Sequence, residues 1–590
     1  MSPSLRMKTS SPTTKVRGRV IAAILVVCAM IAVARLAQLQ IVEGGRWRAL
    51  AASVQERTLE LPPRRGSIID RDGTLLAFDV KATAIAVDGY NMTKPETLAA
   101  ILADELGRSK AEISDLVYRP SYFTWVDRSV SLEVAQRIEE RASQGGAYGL
   151  IFLDTWKRCY PQGRLASNVI GFVGTDGVGL EGIELEFDEK LRGTPTQLRV
   201  VEGADGRTYQ TETIDPGRSG DDVILTLDAD LQFICEDEIQ SGVSHFQAVG
   251  GMIVAIDPTS GEILAMAQSK GYDLNRFGSS TPTERKNLAV AAIFEPGSIF
   301  KVFAGLAALE AGVVTVDETF DGDDGITIGG HVMHNADHVD YGFVTFGETI
   351  EHSVNTAMIQ VALRLGEEAL HALLSDLGFG RETGIELPGE EVGILRPAAV
   401  WSPLDLASSS IGQSVAVTAV QLARALCCVA NDGVLPDVHI ASGGPVTAGD
   451  RVVSDGSAET MLDLMTRVVE SGTGTRAALD GFTVAGKTGT AQKATAGRGY
   501  TEGKYTSLFA GCLPAEDPHV VILVVLDEVG TTPVSGGYTA GQVFHETATR
   551  MIHAERLAST TSDTYEAGAT SPMGASGGHV LSGEELFGRP

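Results

Sequence analysis

The sequence predicts an α+β chain: an apolar N-terminal helix, a mixed module, and a larger C-terminal domain in which one sheet is packed by helices. Three observations predict it. The run "VIAAILVVCAMIAVA", Val20–Ala34, holds fifteen apolar residues without a break. Strand-like text stands at both ends of residues 221–556, with helical text between. Strands from opposite ends of one segment are most simply joined in a single sheet. The length of 590 residues exceeds one domain at about 100–200 residues each.

The elements follow in order. Residues 1–19 carry Arg6, Lys8, Lys15, Arg17 and Arg19 and no acid. A basic flank before an apolar run keeps the N-terminus in the cytoplasm. Three readings fit the run: a cleaved signal peptide ending near Ala32-Val33-Ala34, a buried helix, or an uncleaved anchor. The anchor is favoured because "ARLAQLQIV" continues helically with no glycine before Gly44. Fifteen residues are short of the roughly 20 that span a bilayer, so the anchor, residues 20–41, must use Leu36 to Ile41 and let Arg35 snorkel or pair.

Residues 42–220 form the second part. "ERTLELPPRRGSIIDRDGTLLAFDV" reads as strand, Asp-Gly turn, strand, and "KPETLAAILADELG" as a helix. The boundary falls in "DPGRSG", Asp215–Gly220, and a helix starts at Asp228 or Asp230. In residues 221–556, "GGMIVAIDPTSGEILAMAQ" is a hairpin. Helical text runs from about 345 to 430. "TVAGKTGTAQK", "SLFAGCLPA" and "HVVILVVLDEV" are three more strands, and "GGYTAGQVFHETATRMIHAERLA" is a closing helix. Residues 557–590 are Ser/Thr/Gly-rich and read as disordered.

Composition excludes some functions. Apolar residues at 43% provide ample core, and a net charge of −29 argues against nucleic acid as a partner. Five cysteines outside the anchor, with no CxxC or Cys/His zinc spacing, read as buried free thiols.

The chemistry begins at "FEPGSIFK", Phe294–Lys301. Ser298 and Lys301 share one helical face. A serine needs an adjacent base, and a lysine serves if burial or neighbouring cations depress its pKa. The helix start also favours a developing anion. Read alone, SxxK is common by chance, and the pair reads as an N-cap serine beside a surface lysine. It is not alone. Ser353-Val354-Asn355 follows 55 residues on, and Lys487-Thr488-Gly489-Thr490 a further 134 on. SxxK, SxN and KTG in this order, the first on a helix start and the last on a strand, are the penicilloyl-serine motif set.

On these motifs the chain resembles the class B penicillin-binding proteins, the monofunctional D,D-transpeptidases. "RGSIIDRDGTLLA", "GLEGIELEFDEKLRGTP", "AIDPTSGEILAMA", "IGQSVAVTAVQLA" and "FAGCLPAEDP" extend the resemblance over roughly residues 20–552. "RLAQLQIVEGGRW" and "KTGTAQK" are most similar to the septal, cell-division type. The resemblance implies an antiparallel sheet flanked by helices at 221–556, the penicillin-binding/β-lactamase-like fold. It also implies an elongated pedestal of the dimerisation type at 42–220.

It further implies roles. Ser298 attacks a D-Ala carbonyl of a stem peptide and forms an acyl-enzyme. Lys301 takes its proton. Ser353 relays a proton to the leaving amine, and Asn355 bonds Lys301 and the substrate amide. Lys487 supplies positive potential, Thr488 and Thr490, with Gly489 between them, bind the terminal carboxylate, and the backbone N–H groups of Ser298 and Thr490 form the oxyanion hole. The middle motif is SVN rather than SDN, so only its Ser and Asn carry over. No metal and no cofactor are implied. Expected partners are peptidoglycan stem peptides, a membrane glycan polymerase, other division proteins, the membrane, and β-lactams as covalent inhibitors. The catalytic domain is expected outside the cytoplasm.

Other segments and readings remain. "GVGLEG", Gly177–Gly182, matches a dinucleotide fingerprint but lacks a βαβ unit behind it and reads as a glycine-rich linker. "HVMHNADHVD" gathers His331, His334, His338 and Asp340 without a zinc spacing and reads as a polar loop near the cleft. The acidic run "DETFDGDDG", Asp317–Gly325, reads as a solvated loop. Alternative functions are an elongation-type transpeptidase, a D,D-carboxypeptidase or β-lactamase, a β-lactam sensor, and an idle scaffold. No added glutamate motif activates water, nineteen residues before the apolar run are too few for a signalling domain, and no motif residue is lost.

Overall fold

The computed structural model describes residues 12–47, 56–202, 208–444, 449–495 and 499–554. The basic residues Arg6 and Lys8 and the tail expected to be disordered, 557–590, lie outside them. A helix spans Pro12–Ala37 and continues through a π-turn, Gln38–Val42. Within it Val16–Val42 is apolar and long enough to cross a membrane. At 1.5 Å per residue this stretch reaches about 40 Å. Arg35 donates to Gln38 at 2.9 Å, so the cation past the apolar run has a polar partner.

The N-terminal module contains two sheets. One runs Thr124–Ser131, Leu75–Val87, Ile68–Ile69, Val223–Ile224, with Leu150–Cys159 also paired to Leu75–Val87. The other joins Glu56–Leu61, Thr196–Glu202 and Thr208–Asp215. Pro95–Leu106, Lys110–Val117 and Leu132–Gln144 bury Leu98, Leu102, Ile113 and Ile138 against Ile85, Val87 and Val126 of the first sheet. The chain leaves through Val223–Ile224 into the helix Ala229–His245. Asp228 caps that helix by accepting from the N–H groups of Asp230 and Leu231.

The C-terminal domain is built on one antiparallel sheet, ordered Ile263–Gln268, Gly250–Ile256, Val520–Asp527, Gly499–Leu513, Ala485–Thr495. Its central strand reads "VVILVVLD", apolar without alternation, as a strand covered on both faces must be. Successive residues point to opposite faces. Val521, Leu523 and Val525 enter one core with Ala425, Leu426 and Leu464, while Val520, Ile522, Val524 and Leu526 enter another with Ile234, Ile239, Val543 and Phe544. Each such side chain contributes about 1.5–3 kcal/mol. The sheet is therefore fixed between helical layers, and its Ala485–Thr495 edge lies against the Gly297–Ile299 turn that carries Ser298.

Four expectations change. The helical text of 345–430 divides into Phe346–Glu351, Asn355–Leu365, Glu367–Asp376, Pro403–Ser410 and Ala419–Ala430. "GVGLEG" is a packing element rather than a linker. A Cβ on Gly179 would stand 1.8 Å from the Glu184 carbonyl oxygen, and Gly182, at φ +60°, would meet Val169 at 2.3 Å. The histidine segment is partly a strand, His331–Met333, paired with Ile326–Ile328. The acidic run is not wholly a solvated loop: Thr319–Asp321 pairs with Phe343–Thr345, and Asp324 binds two histidines.

The thiols are free: Cys235, Cys427, Cys428 and Cys512 are buried, Cys159 is half-buried, and Cys28 is exposed on the N-terminal helix. Burial pushes Cys428 and Cys512 up to about 12, which leaves them protonated and inert.

Candidate active site

Ser298 sits in a 3-10 turn, Gly297–Ile299, that leads directly into the helix Phe300–Glu310. That helix is apolar on nearly every face, with Phe300, Val302, Phe303, Ala304 and Leu306 buried around Lys301. Lys301 is 0% exposed. It is therefore not a surface lysine. Its Nζ donates to the carbonyl of Ser353 and, at 3.1 Å, to the Ser353 hydroxyl. Burial holds its pKa well below the usual lysine range, and the Lys487 charge lowers it further, against a smaller opposing pull from Asp337.

The SVN turn explains its own spelling. Ser353 adopts φ +59°, an uncommon conformation for a residue with a side chain. Val354 is 1% exposed and packs into the core, so an apolar residue suits this position. Asn355 opens the next helix, Asn355–Leu365. Its Nδ2 donates to the His334 carbonyl at 2.8 Å, whereas Lys301 donates to Ser353 and not to Asn355. The implied Asn355–Lys301 bond is thus replaced by one to the histidine segment.

Lys487 lies on the edge strand and is also 0% exposed. Burial pushes it down to about 7, and its Nζ donates to the Thr488 carbonyl at 3.3 Å. Thr488 shares a hydrogen bond with Thr473 at 2.8 Å, and Thr490 Oγ1 accepts from the Gly536 N–H at 3.0 Å. The strand passes close to the serine turn. A Cβ on Gly489 would lie 2.9 Å from the Pro296 carbonyl oxygen, and one on Gly297 would lie 2.9 Å from that of Thr490. Gly297 also needs glycine for its φ of +55°. Two glycines thus let the serine turn and the Lys487 strand approach.

A buried, neutralisable lysine bonded to a second serine, beside a half-buried serine at a helix start and a second buried lysine on a sheet edge, is equipped for acyl transfer. The comparisons agree. Residues 251–549 match the model of the penicillin binding protein transpeptidase domain, and residues 60–225 that of the penicillin-binding protein dimerisation domain. The chain is a class B penicillin-binding protein. It is 32% identical to the probable peptidoglycan D,D-transpeptidase PenA of Neisseria meningitidis over 83% of this chain and 84% of that one. It is 28% identical to the peptidoglycan D,D-transpeptidase FtsI of Escherichia coli over 86% and 87%. Among solved structures it is similar to penicillin binding protein 3 of Mycobacterium tuberculosis, crystallised with aztreonam. The TM-score there is 0.66 and the identity 28%, covering 85% of this chain and 98% of the other.

As a class B penicillin-binding protein the chain is a peptidoglycan D,D-transpeptidase. Around its motifs lie residues that sequence reasoning did not single out. Thr473 reaches Thr488 from a different segment. Asn335, 2% exposed, accepts on Oδ1 from the N–H groups of Asn355 and Thr356 and donates to the Gly322 and Val339 carbonyls. Glu295 accepts from the Ser414 N–H at 2.9 Å and from the Tyr500 hydroxyl, and burial raises its carboxyl. Gly412 would meet the Gly297 carbonyl at 2.0 Å if it carried a Cβ, which ties "IGQSVAVTAVQLA" to the serine turn. Glu295 and Gly412 lie within motifs quoted above, but what each of them and Thr473 does is set by a partner more than twelve residues away.

Proposed function

We propose that this transpeptidase works through an acyl-enzyme on Ser298 and cross-links stem peptides in septal wall synthesis. The observation that carries the reading is the Lys301–Ser353 pair, fully desolvated at the lysine and one helical turn after Ser298. Neutral Lys301 accepts the Ser298 proton as the oxygen attacks the D-Ala carbonyl. The N–H groups of Ser298 and Thr490 bind the oxyanion. Ser353, bonded to Lys301, passes a proton to the departing amine, and D-Ala leaves. Thr488 and Thr490 hold the terminal carboxylate in the field of Lys487, with the edge strand free to pair with the peptide backbone. The amine of a second stem peptide then attacks the ester, completing the cross-link and returning the proton.

The Val16–Val42 helix is proposed as the anchor, with the basic end inside and residues 42–220 and 221–556 outside. The glycan polymerase and division proteins are proposed partners on that side. The septal role rests on "RLAQLQIVEGGRW" and "KTGTAQK"; an elongation role is the alternative. A fluorescent fusion at mid-cell supports the first, and one along the lateral wall supports the second.

Labelling with a fluorescent penicillin tests the chemistry. The wild-type chain should form a label that lasts hours, and Ser298→Ala should form none. Rapid loss of label would shift the reading to a carboxypeptidase or β-lactamase. Label that persists in Ser298→Ala would remove Ser298 as nucleophile.

A further inference from the structure

Between the Ser298 helix and Asn355 the chain folds two short hairpins, Thr319–Asp321 with Phe343–Thr345 and Ile326–Ile328 with His331–Met333. The second hairpin brings Asp324 against the segment that follows it. Asp324 Oδ2 lies 3.0 Å from His334 Nδ1 and 3.1 Å from His338 Nδ1. The three ligand atoms all lie within 4.8 Å of one another. Of the sequence residues grouped here, His331 takes no part, and Asp340 is used otherwise: its Oδ1 accepts the Asp324 N–H at 2.9 Å.

We propose that Asp324, His334 and His338 form a binding site for a divalent transition metal of the Zn2+ class, and that the metal fixes the segment holding Asn355. Two imidazole nitrogens and one carboxylate oxygen are a zinc donor set that leaves a fourth position open. Ca2+ and Mg2+ prefer all-oxygen sites and are disfavoured. Zinc bonds of about 2.0–2.2 Å at tetrahedral angles set ligand atoms roughly 3.3–3.5 Å apart, within a few tenths of an ångström of the two carboxylate–imidazole separations here. The burial is graded. The Asp324 side chain is 16% exposed, and those of His334 and His338 are 46% and 69%. The carboxylate forms the floor, and the imidazoles stand on the solvent side, where an ion can enter.

The floor is built. Asp324 Oδ1 accepts the Asn335 N–H at 2.7 Å, which orients Oδ2 toward the imidazoles. His338 adopts φ +57°, an uncommon conformation for a non-glycine residue. The same segment reaches the motif residues twice. The His334 carbonyl accepts from Asn355 Nδ2 at 2.8 Å, and Asn335 Oδ1 accepts from the Asn355 and Thr356 N–H groups at 3.0 and 3.2 Å. A metal joining residue 324 to residues 334 and 338 closes this segment on itself and restrains both contacts.

The test uses the full chain in detergent, stripped of metal by a chelator and titrated with Zn2+ alone in a calorimeter. Cobalt(II) absorption serves as a second readout. One equivalent should bind. His334→Ala and His338→Ala should each weaken binding by more than about 100-fold, the upper range for losing even an outer-sphere partner. His331→Ala should leave it unchanged. Thermal unfolding of each variant confirms that these exposed positions leave the fold intact. Binding that is absent, or that survives both substitutions as adventitious surface uptake, overturns the site. The second readout is the rate of penicillin acylation. Metal removal should slow the wild type, Zn2+ should restore it, and His338→Ala should not respond. A wild-type rate indifferent to bound Zn2+ overturns the tether. Zn2+ uptake is read without any reaction, so a failure of the Ser298 mechanism leaves this test standing.

Discussion

Lys487 and Lys301 are two amines on a scaffold that gives neither one water. Burial alone brings Lys487 to about 7, and Lys301 bears both burial and the repulsion of Lys487. The proposed tasks need opposite states: Lys301 neutral to accept a proton, Lys487 charged to hold a carboxylate. The second-order rate of penicillin acylation should therefore fall on an alkaline limb near pH 7 as Lys487 loses its proton. Lys487→Arg should move that limb upward by more than about two pH units, because a guanidinium does not titrate there. An unmoved limb would assign it to another group. The sign for stability also follows. Both folded-state values lie below the lysine value of 10.5, so between about 7 and 10.5 the unfolded chain binds more protons. Stability should rise with pH across that window, and Lys487→Met should flatten the rise while abolishing acylation.

The serine turn and the edge strand work as one unit because glycine stands at their contact. Gly297→Ala introduces a Cβ 2.9 Å from the Thr490 carbonyl at a backbone φ of +55°. The strain is on the order of 1 kcal/mol, small beside the fold's reserves. The displacement falls on the line between Ser298 and the Thr490 N–H, where a shift of about 1 Å can cost 100-fold in rate. Stopped-flow acylation of Gly297→Ala should thus show a loss of tenfold or more with only a small drop in melting temperature. A near-normal rate would mean that the Thr490 peptide is not the oxyanion donor. The motifs were legible at this scale because each is short and fixed in order: SIFK, SVN and KTG. What was not legible is the neighbour of each, such as Thr473 beside Thr488, or His334 beside Asn355.

Across the whole molecule the N-terminal module depends on a buried charge network. Glu184 is 0% exposed and bonds Arg65 at 2.6 Å and Arg158 at 2.7 Å, while Asp188 bonds Arg65 at 2.7 Å and Asp79 bonds Arg158 at 3.2 Å. This network draws "RGSIIDRDG" and "GLEGIELEFDEKL", more than a hundred residues apart, into one contact. Removing Glu184 leaves Arg65 with Asp188 and Arg158 with Asp79, and strips buried guanidinium N–H groups of their acceptor, at a cost of about 2–3 kcal/mol. Glu184→Ala should therefore lose that much on denaturant unfolding. Penicillin acylation per folded molecule should hold, since Ser298 and its partners lie in the other domain. A cost under about 1 kcal/mol would mean that water reaches the network.

The sequence alone determined the elements whose information is local. The apolar run at Val20–Ala34, the hairpin around Pro258 and the strand "VVILVVLD" carry periodicities that one window reveals. The three motifs carry chemistry in three or four letters each. Tertiary structure decided what depends on partners brought from elsewhere. It buried Lys301 by wrapping an apolar helix, turned "GVGLEG" from apparent linker to close packing, and split the helical text before Ala419. It also set Asp324 of the acidic run against His334 and His338, which no spacing along the chain could have announced. The physical reason is the same throughout. Burial, and the electrostatics that follow from it, depend on which distant side chains exclude water from a group, and the distance along the chain does not encode that.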